Sequence, residues 1–443
     1  MTTDRLFRES PAGKLFLRLA LPGMGSAAMA SLYLVVDGIL VGRYLGSDAL
    51  AAINLAMPFL TISFMIADMI GMGSAVQIAI SLGRKDQRMA DWIFTFALTL
   101  IGVIAGLTGG ILWLLAPELL SVIGAEGPLA EMALECLTMF SLFALLVMPF
   151  FAVDNYLRLC GHPRWSFAIN MGSAVLNIGL DWLFLERFGW GIWSVVMATC
   201  ISFSVGTILG FIPFLMGRMP VRLSGDRLPL SYIWTIGKCG AGEFVSNVSD
   251  SFFQMTVNVV LLQFAGASYV VVFSLIMYID AMALSLLRSL SDAAQPVISY
   301  CLGARDWKRI REMEICVLGT GAVLGIGIFA IMQTSGDLLV DLFLGKGEQE
   351  IRAIAIPAME IFSFSYLVLW LGMGLGDYFT ALSRPLPALI QSACQIFFFP
   401  IFCLVILMPY TGADSVWTAS VAGRTLAAGL AASLFFSYGR MRG

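Results

Sequence analysis

Ser31-Leu-Tyr-Leu-Val-Val-Asp37-Gly-Ile-Leu-Val-Gly42 is an apolar run with a single carboxylate at its centre. The run continues a hydrophobic stretch that opens near Leu15, so the whole is long enough to cross a bilayer. An Asp at the middle of a spanning helix costs about 2.5–3.5 kcal/mol on insertion scales. A chain that keeps a carboxylate there normally uses it for an ion, a proton or a cationic substrate. A second acidic span, Asn177-Ile-Gly-Leu-Asp181, repeats the feature. Its amide and carboxylate lie one helical turn apart and therefore share one helix face.

The surrounding composition is that of a membrane protein. Of the 443 residues, 59% are hydrophobic and 12% charged, with a mean hydropathy of +0.88. Soluble domains carry about 25% charged residues. The apolar runs are long and unbroken, which excludes a β-barrel, whose strands alternate in polarity. Spans are expected near 15–43, 49–81, 91–115, 129–157, 164–185, 189–217, 232–264, 268–301, 311–335, 350–380, 384–408 and 414–438. The fold class is therefore an all-α membrane protein of twelve transmembrane helices. The first run lacks a small-residue cleavage site and holds Pro22 and Asp37, so it is expected to be retained as a span. The eight cysteines form no C-x-x-C pair and mostly lie in apolar runs, where they serve as small packing residues.

Lys and Arg give the orientation. If both termini are cytoplasmic, nineteen of these residues fall in cytoplasmic segments, including Arg84, Lys85 and Arg88, Arg218, Arg222 and Arg227, and Arg440 and Arg442. Only four, Arg43, Arg187, Lys346 and Arg352, fall on the other side. This bias predicts a multi-pass protein of the cell (cytoplasmic) membrane with both termini inside. The longest polar connection divides the chain into an N-terminal lobe (1–217), a cytoplasmic linker (218–231) and a C-terminal lobe (232–443).

The lobes repeat. Ile80-Ser-Leu-Gly-Arg-Lys-Asp86 follows the second span, and Ile298-Ser-Tyr-Cys-Leu-Gly-Ala-Arg-Asp306 follows the eighth. Gly83 thereby corresponds to Gly303. Further on, Tyr156 corresponds to Tyr378 and Pro163 to Pro385, at nearly the same offset of half the chain. Repeats separated by an even number of spans share their orientation. Two pseudo-symmetric six-helix bundles are thus expected about an axis along the membrane normal, a transporter plan. Prolines at 22, 58, 149, 213, 296, 357 and 400 are expected to bend spans. The spacings Gly102-x3-Gly106, Gly321-x3-Gly325 and Gly372-x3-Gly376 permit close helix approach.

These segments together resemble the multidrug and toxic compound extrusion (MATE) family. The resemblance runs from about Leu19 to Ser437. It is carried by Asp37-Gly-Ile-Leu-Val-Gly-Arg-Tyr-Leu-Gly46 with Ala49-Leu-Ala-Ala52, by Leu157-Arg-Leu-Cys-Gly161, by Asn177-Ile-Gly-Leu-Asp181-Trp-Leu-Phe, by Ala198-Thr199, and by Gln295-Pro296 leading to Gly303-Ala304. It implies twelve helices in two lobes around a central cavity, with export by alternating access driven by sodium or protons. It also implies a coupling-ion site in the amino-terminal lobe at Asp37, Asn177, Asp181 and Thr199. The residue types agree with that role. Two carboxylates, an amide oxygen and a hydroxyl make a hard-oxygen site for a small cation, with Asp37, Asn177 and Asp181 as the metal ligands if the ion is Na+. Without a metal ion, two like charges in low dielectric cannot both stay ionised, and the pair would hold a proton.

Other intramembrane charges need a role. Some family branches use acids in the seventh and tenth helices; here Glu243 and Asp250 lie in the seventh, and Glu360 and Asp377 in the tenth. Glu243 is expected to pair with Lys238, and Asp250 to face the cavity. Asp280, Arg288 and Asp292 share the eighth span, where Arg288 and Asp292 can pair on one face. Alternatively Arg288 and Asp68, equivalent under the offset of Gly83 and Gly303, form a gate between lobes. Asp154 and Arg158 are read as a stabilising pair. His162, the one histidine, sits in a Gly-His-Pro loop.

The resemblance implies a drug-like substrate, amphipathic and cationic, beside the lipid bilayer. No nucleic-acid partner or cofactor is expected, and a monomer suffices because the repeat supplies both halves. A flippase for a lipid-linked precursor is the alternative, with Arg288 as the residue that would bind pyrophosphate. A membrane enzyme is not expected: the chain has no H-x-x-x-H, H-E-x-x-H, G-x-S-x-G or P-loop.

Overall fold

The computed structural model describes residues 3–122, 125–225, 229–344 and 349–439. Arg227, Lys346, Arg440 and Arg442, counted in the charge bias, lie outside the described residues. Among the described residues no strand forms, and every long element is a helix. Hydrocarbon enforces this, because a spanning segment must satisfy its own backbone hydrogen bonds.

Packing divides the chain into two units. The first holds Leu21–Gly240 and the chain up to Glu9; the second holds Ser10–Ala20 and Ala241–Gly443. The helices in chain order are α1 (Thr3–Glu9), α2 (Ala12–Tyr44), α3 (Ser47–Gly83), α4 (Gln87–Val122), α5 (Pro128–Val147), α6 (Pro149–Leu159), α7 (Pro163–Trp182) and α8 (Trp193–Leu215). They continue with α9 (Tyr232–Phe264), α10 (Ala267–Gly303), α11 (Trp307–Leu344), α12 (Gln349–Ser363), α13 (Tyr366–Ala381), α14 (Pro385–Ala393), α15 (Phe399–Thr411) and α16 (Ser415–Leu434). The described part of the linker is strapped to the start of α4. Asp91 Oδ1 accepts the Arg222 amide (2.8 Å), Thr95 Oγ1 accepts the Ser224 amide (2.8 Å), and Met219 and Val221 are buried.

Nine described helical stretches are long and apolar enough to cross a membrane, and the pair Ile351–Ser363 and Tyr366–Ala381, bent by 50°, makes a tenth. Two further passages complete the expected twelve. α9 is 33 residues long but carries Lys238, Glu243 and Asp250. The stretch Pro385–Ser437, counted once, has 53 residues, about 80 Å of helix. That is far too long for one crossing, and it turns at Gly412, where φ is 59°. The bend in the tenth span falls at Phe364–Ser365, not at Pro357, which lies inside α12. α11 is kinked at Ser335 (φ −124°, ψ 20°), where the ninth span was expected to end.

The repeat is written in the backbone. Gly46 and Gly266, which share the offset of Gly83 and Gly303, precede α3 and α10 with φ of 85° and 87°. Lys85 and Arg305, at the same offset, adopt φ of 62° and 59° after those helices. In both loops the following aspartate caps the next helix: Asp86 Oδ1 accepts the Met89 amide and Asp306 Oδ1 the Arg309 amide. Gly161 and Ser383, offset like Tyr156 and Tyr378, have φ of 79° and 54°.

The glycine spacings divide. A Cβ on Gly102 would meet nothing within 4 Å, and one on Gly106 only Leu145 at 3.8 Å, so that pair makes no close approach. On α4 the contact is made instead by Gly109, against the Ser141 carbonyl (2.8 Å). Gly321 and Gly325 do form a seam with α13, against Trp370 (3.1 Å) and the Tyr366 carbonyl. Gly376 faces Gln391 of α14, and Gly372 faces Gln395 just beyond that helix and, farther off, Gln391.

Candidate functional site

In the first unit, α2 contributes Asp37, α7 contributes Asn177 and Asp181, and α8 contributes Thr199. Asp181 and Asn177 are 0% and 3% exposed; Asp37 and Thr199 are half-buried. The carboxyl groups of Asp37 and Asp181 lie close enough to interact directly. Asn177 Nδ2 donates to Thr199 Oγ1 (3.2 Å), whose own proton goes to the Val195 carbonyl (3.3 Å). The four residues named in the sequence are therefore brought together.

The oxygens of this group are short of donors. Both oxygens of Asp181, Oδ1 of Asp37 and Oδ1 of Asn177 are buried with no hydrogen-bond partner. Buried polar atoms in folded proteins are nearly always paired. These are hard oxygen acceptors, the kind of group that a proton or a small hard cation satisfies. Among the described residues no three His, Cys, Asp or Glu side chains cluster as a metal site. Two carboxylates with neutral oxygens suit a proton or a monovalent ion better than zinc, which favours nitrogen and sulfur. Just beyond Asp181 the helix loosens into a π-helical turn, Leu183–Arg187, a departure that recurs at functional sites.

Several other charged residues have partners inside their own unit. Asp68 accepts a hydrogen bond from Asn155 Nδ2 (3.0 Å). Asp154 pairs with Arg158 (2.8 Å) and also accepts from Ser166 and Asn170. In the second unit Glu243, read from the sequence as a partner of Lys238, pairs with Arg288, whose guanidinium also reaches Ser246 Oγ (3.4 Å). Asp250 accepts from Gln254 Nε2 (2.8 Å). Asp280 is held by a fork–fork pair with Arg424 (3.0 and 2.5 Å) and by the Tyr366 hydroxyl (2.7 Å). Arg424 also donates to Ser365 Oγ (2.9 Å) and lies 4.9 Å from the Phe362 ring centroid. Arg424 stands in an apolar span with no charged residue within a helical turn to name its partner. The signal was there, since a lone arginine in an apolar span needs a buried partner.

An all-helical chain of two repeated units, crossing the membrane many times and carrying an acid-lined oxygen site, has the build of a secondary transporter. The MatE family profile matches residues 22–183 and 244–406, and the chain belongs to that family of multidrug and toxic compound extrusion transporters. The starts of the two matched segments are separated by the same offset as Tyr156 and Tyr378. The chain is 24% identical over 387 residues to Multidrug export protein MepA of Staphylococcus aureus (strain MSSA476), covering 85% of this chain and 82% of that one. Its fold matches the outward-facing conformation of a multidrug resistance MATE family transporter of the MOP superfamily, with TM-score 0.91 and 23% identity over 100% of this chain and 98% of that one. It equally matches a MOP superfamily transporter from Pyrococcus furiosus Vc1 (DSM3638), described as having a binding pocket of reversed polarity that suggests a different function (TM-score 0.91, 23% identity, the same coverage).

Proposed function

We propose that this MATE-family protein is a cation-coupled antiporter. It exchanges Na+ or H+, bound at Asp37, Asn177, Asp181 and Thr199, for amphipathic cationic organic compounds moving outward by alternating access. The observation that carries the reading is the set of four buried oxygens without donors, contributed by α2 and α7 of one unit. A bound cation supplies the missing electrostatic partner. Releasing it leaves two carboxyl groups facing each other, a state that favours a different arrangement of α2 against α7 and α8. Export activity in the relatives named MepA supports the direction of transport.

The flippase reading depends on Arg288 as a pyrophosphate ligand. That guanidinium is engaged by Glu243 and Ser246, which favours efflux. The test is uptake of a cationic dye into inside-out proteoliposomes under an imposed sodium or pH gradient. Wild type is expected to respond to one gradient, with Asp37→Asn and Asp181→Asn losing at least about tenfold in rate, equivalent to about 1.4 kcal/mol. Competition by phosphate-bearing lipid in place of dye transport would overturn the proposal.

A further inference from the structure

The glycine seam between α11 and α13 fixes a helix register. Gly325 lies against the Tyr366 carbonyl, Gly321 against Trp370 and Gly374 against Val317 and Leu318. The helices run antiparallel, so each step down α11 is a step up α13. Continuing the same register by one turn sets Glu314 opposite Asp377. Glu314 is 6% exposed, and its Oε1 has no hydrogen-bond partner. Asp377 is half-buried and is the charged neighbour of Glu314.

The groups facing this pair come from several elements. Glu243 of α9 and Arg288 and Asp292 of α10 act on Asp377, and the Ser291 hydroxyl donates to it. Tyr378 of α13 lies beside Glu314, with Arg311 and Arg384 acting on that phenol. No donor from any of these satisfies Glu314 Oε1. Arg288 is already paired with Glu243. Arg288 thus shares its charge between Glu243 and Asp377 and leaves Glu314 Oε1 without a donor, and two facing carboxylates in low dielectric cannot both stay ionised without a proton or another cation.

We propose that Glu314 and Asp377 form a second cation site, in the second unit, which holds one proton or one sodium ion independently of the Asp37 site. Glu314 and Asp377 would hold their cation whether or not the Asp37 site drives transport.

The test is carbodiimide labelling of the purified full-length protein, since N,N′-dicyclohexylcarbodiimide reacts with protonated carboxyl groups in apolar surroundings. Adducts at Glu314 and at Glu312, a more exposed neighbour on the same helix that pairs with Arg309, are quantified by peptide mass spectrometry across pH, with and without sodium. The proposal expects about tenfold more adduct on Glu314 than on Glu312 near neutral pH. If the ligand is a proton, labelling falls as pH rises and ignores sodium; if it is sodium, added sodium suppresses labelling at constant pH. Removing the facing charge in Asp377→Asn should lower Glu314 labelling about tenfold at fixed pH. Asp37→Asn should leave the Glu314 profile unchanged. The site is overturned if wild-type Glu314 labels no more than Glu312, or responds to neither pH nor sodium. Wild-type protein alone decides that, whatever the variants do to folding. A Glu314 profile that ignores Asp377→Asn, or collapses in Asp37→Asn, equally contradicts an independent pair.

Discussion

Asp181 and Asp280 are both buried aspartates in apolar spans, yet their surroundings are opposite. Asp181 has no donor on either oxygen, whereas Asp280 has two guanidinium nitrogens and a phenol. The fold leaves the oxygens of the first without donors, whereas it satisfies those of the second. Breaking one side of a buried pair strands a charge and costs about 3–5 kcal/mol. Arg424→Ala or Asp280→Asn should therefore lower the thermal unfolding temperature sharply. The double change Asp280→Leu with Arg424→Met should recover much of that loss. Asp181→Asn should leave the unfolding temperature unchanged or raise it while removing any cation dependence; a large loss of stability would place Asp181 with Asp280 as a structural group. The two residues also differ in how far the sequence reveals them. Asn177 and Asp181 are one helical turn apart, a spacing visible in the string of letters. Asp280 and Arg424 are 144 positions apart, and only packing within the second unit introduces them.

Close helix approach depends on which face of an element meets a neighbour, and glycine spacing alone does not say. Gly102-x3-Gly106 and Gly321-x3-Gly325 look alike in sequence, but only the second pair is pressed against another helix. A Cβ at Gly325 would collide with the Tyr366 backbone carbonyl, and overpacking of this kind costs about 1–3 kcal/mol. Gly325→Ala should lower thermal stability by that order. Gly327→Ala, nearby on the same helix and facing open space, should be neutral or slightly favourable. Equal effects from the two would mean that the seam does not hold α11 on α13. The linker offers a second check at this scale. Its polar composition marked it as a connection, but not as a strap, because the capping partner Asp91 lies 131 residues away from Arg222. Asp91→Ala should free the segment and speed tryptic cleavage at Arg218 and Arg222, both exposed.

At the scale of the whole chain, the repeat and the number of passages were legible because both are periodic properties. Hydropathy recurs with each span, and the correspondence of Gly83 with Gly303 and of Tyr156 with Tyr378 reappears as paired left-handed residues in equivalent loops. The division of the chain into packing units was less legible. Ser10–Ala20 packs with the second unit and the start of α9 with the first, so chain order and packing order differ at both joins. The charge bias adds an expectation that both termini face the cytoplasm. Protease digestion of a tag fused to the amino terminus should succeed in inside-out vesicles and fail in intact cells; the reverse pattern would invert the topology.

Asp37, Asn177, Asp181 and Thr199 are the residues proposed to bind the coupling cation. Trp182, one of ten tryptophans, follows Asp181 in the chain and is 46% exposed, so a change at the site alters its share of the emission. The measurement is a sodium titration of intrinsic tryptophan fluorescence on purified protein at two pH values, with Asp37→Asn in parallel. A saturable response to sodium, or to pH without sodium specificity, that disappears in the variant is the predicted result and names the ion. Identical curves for wild type and Asp37→Asn would mean that Asp37 does not bind the coupling ion.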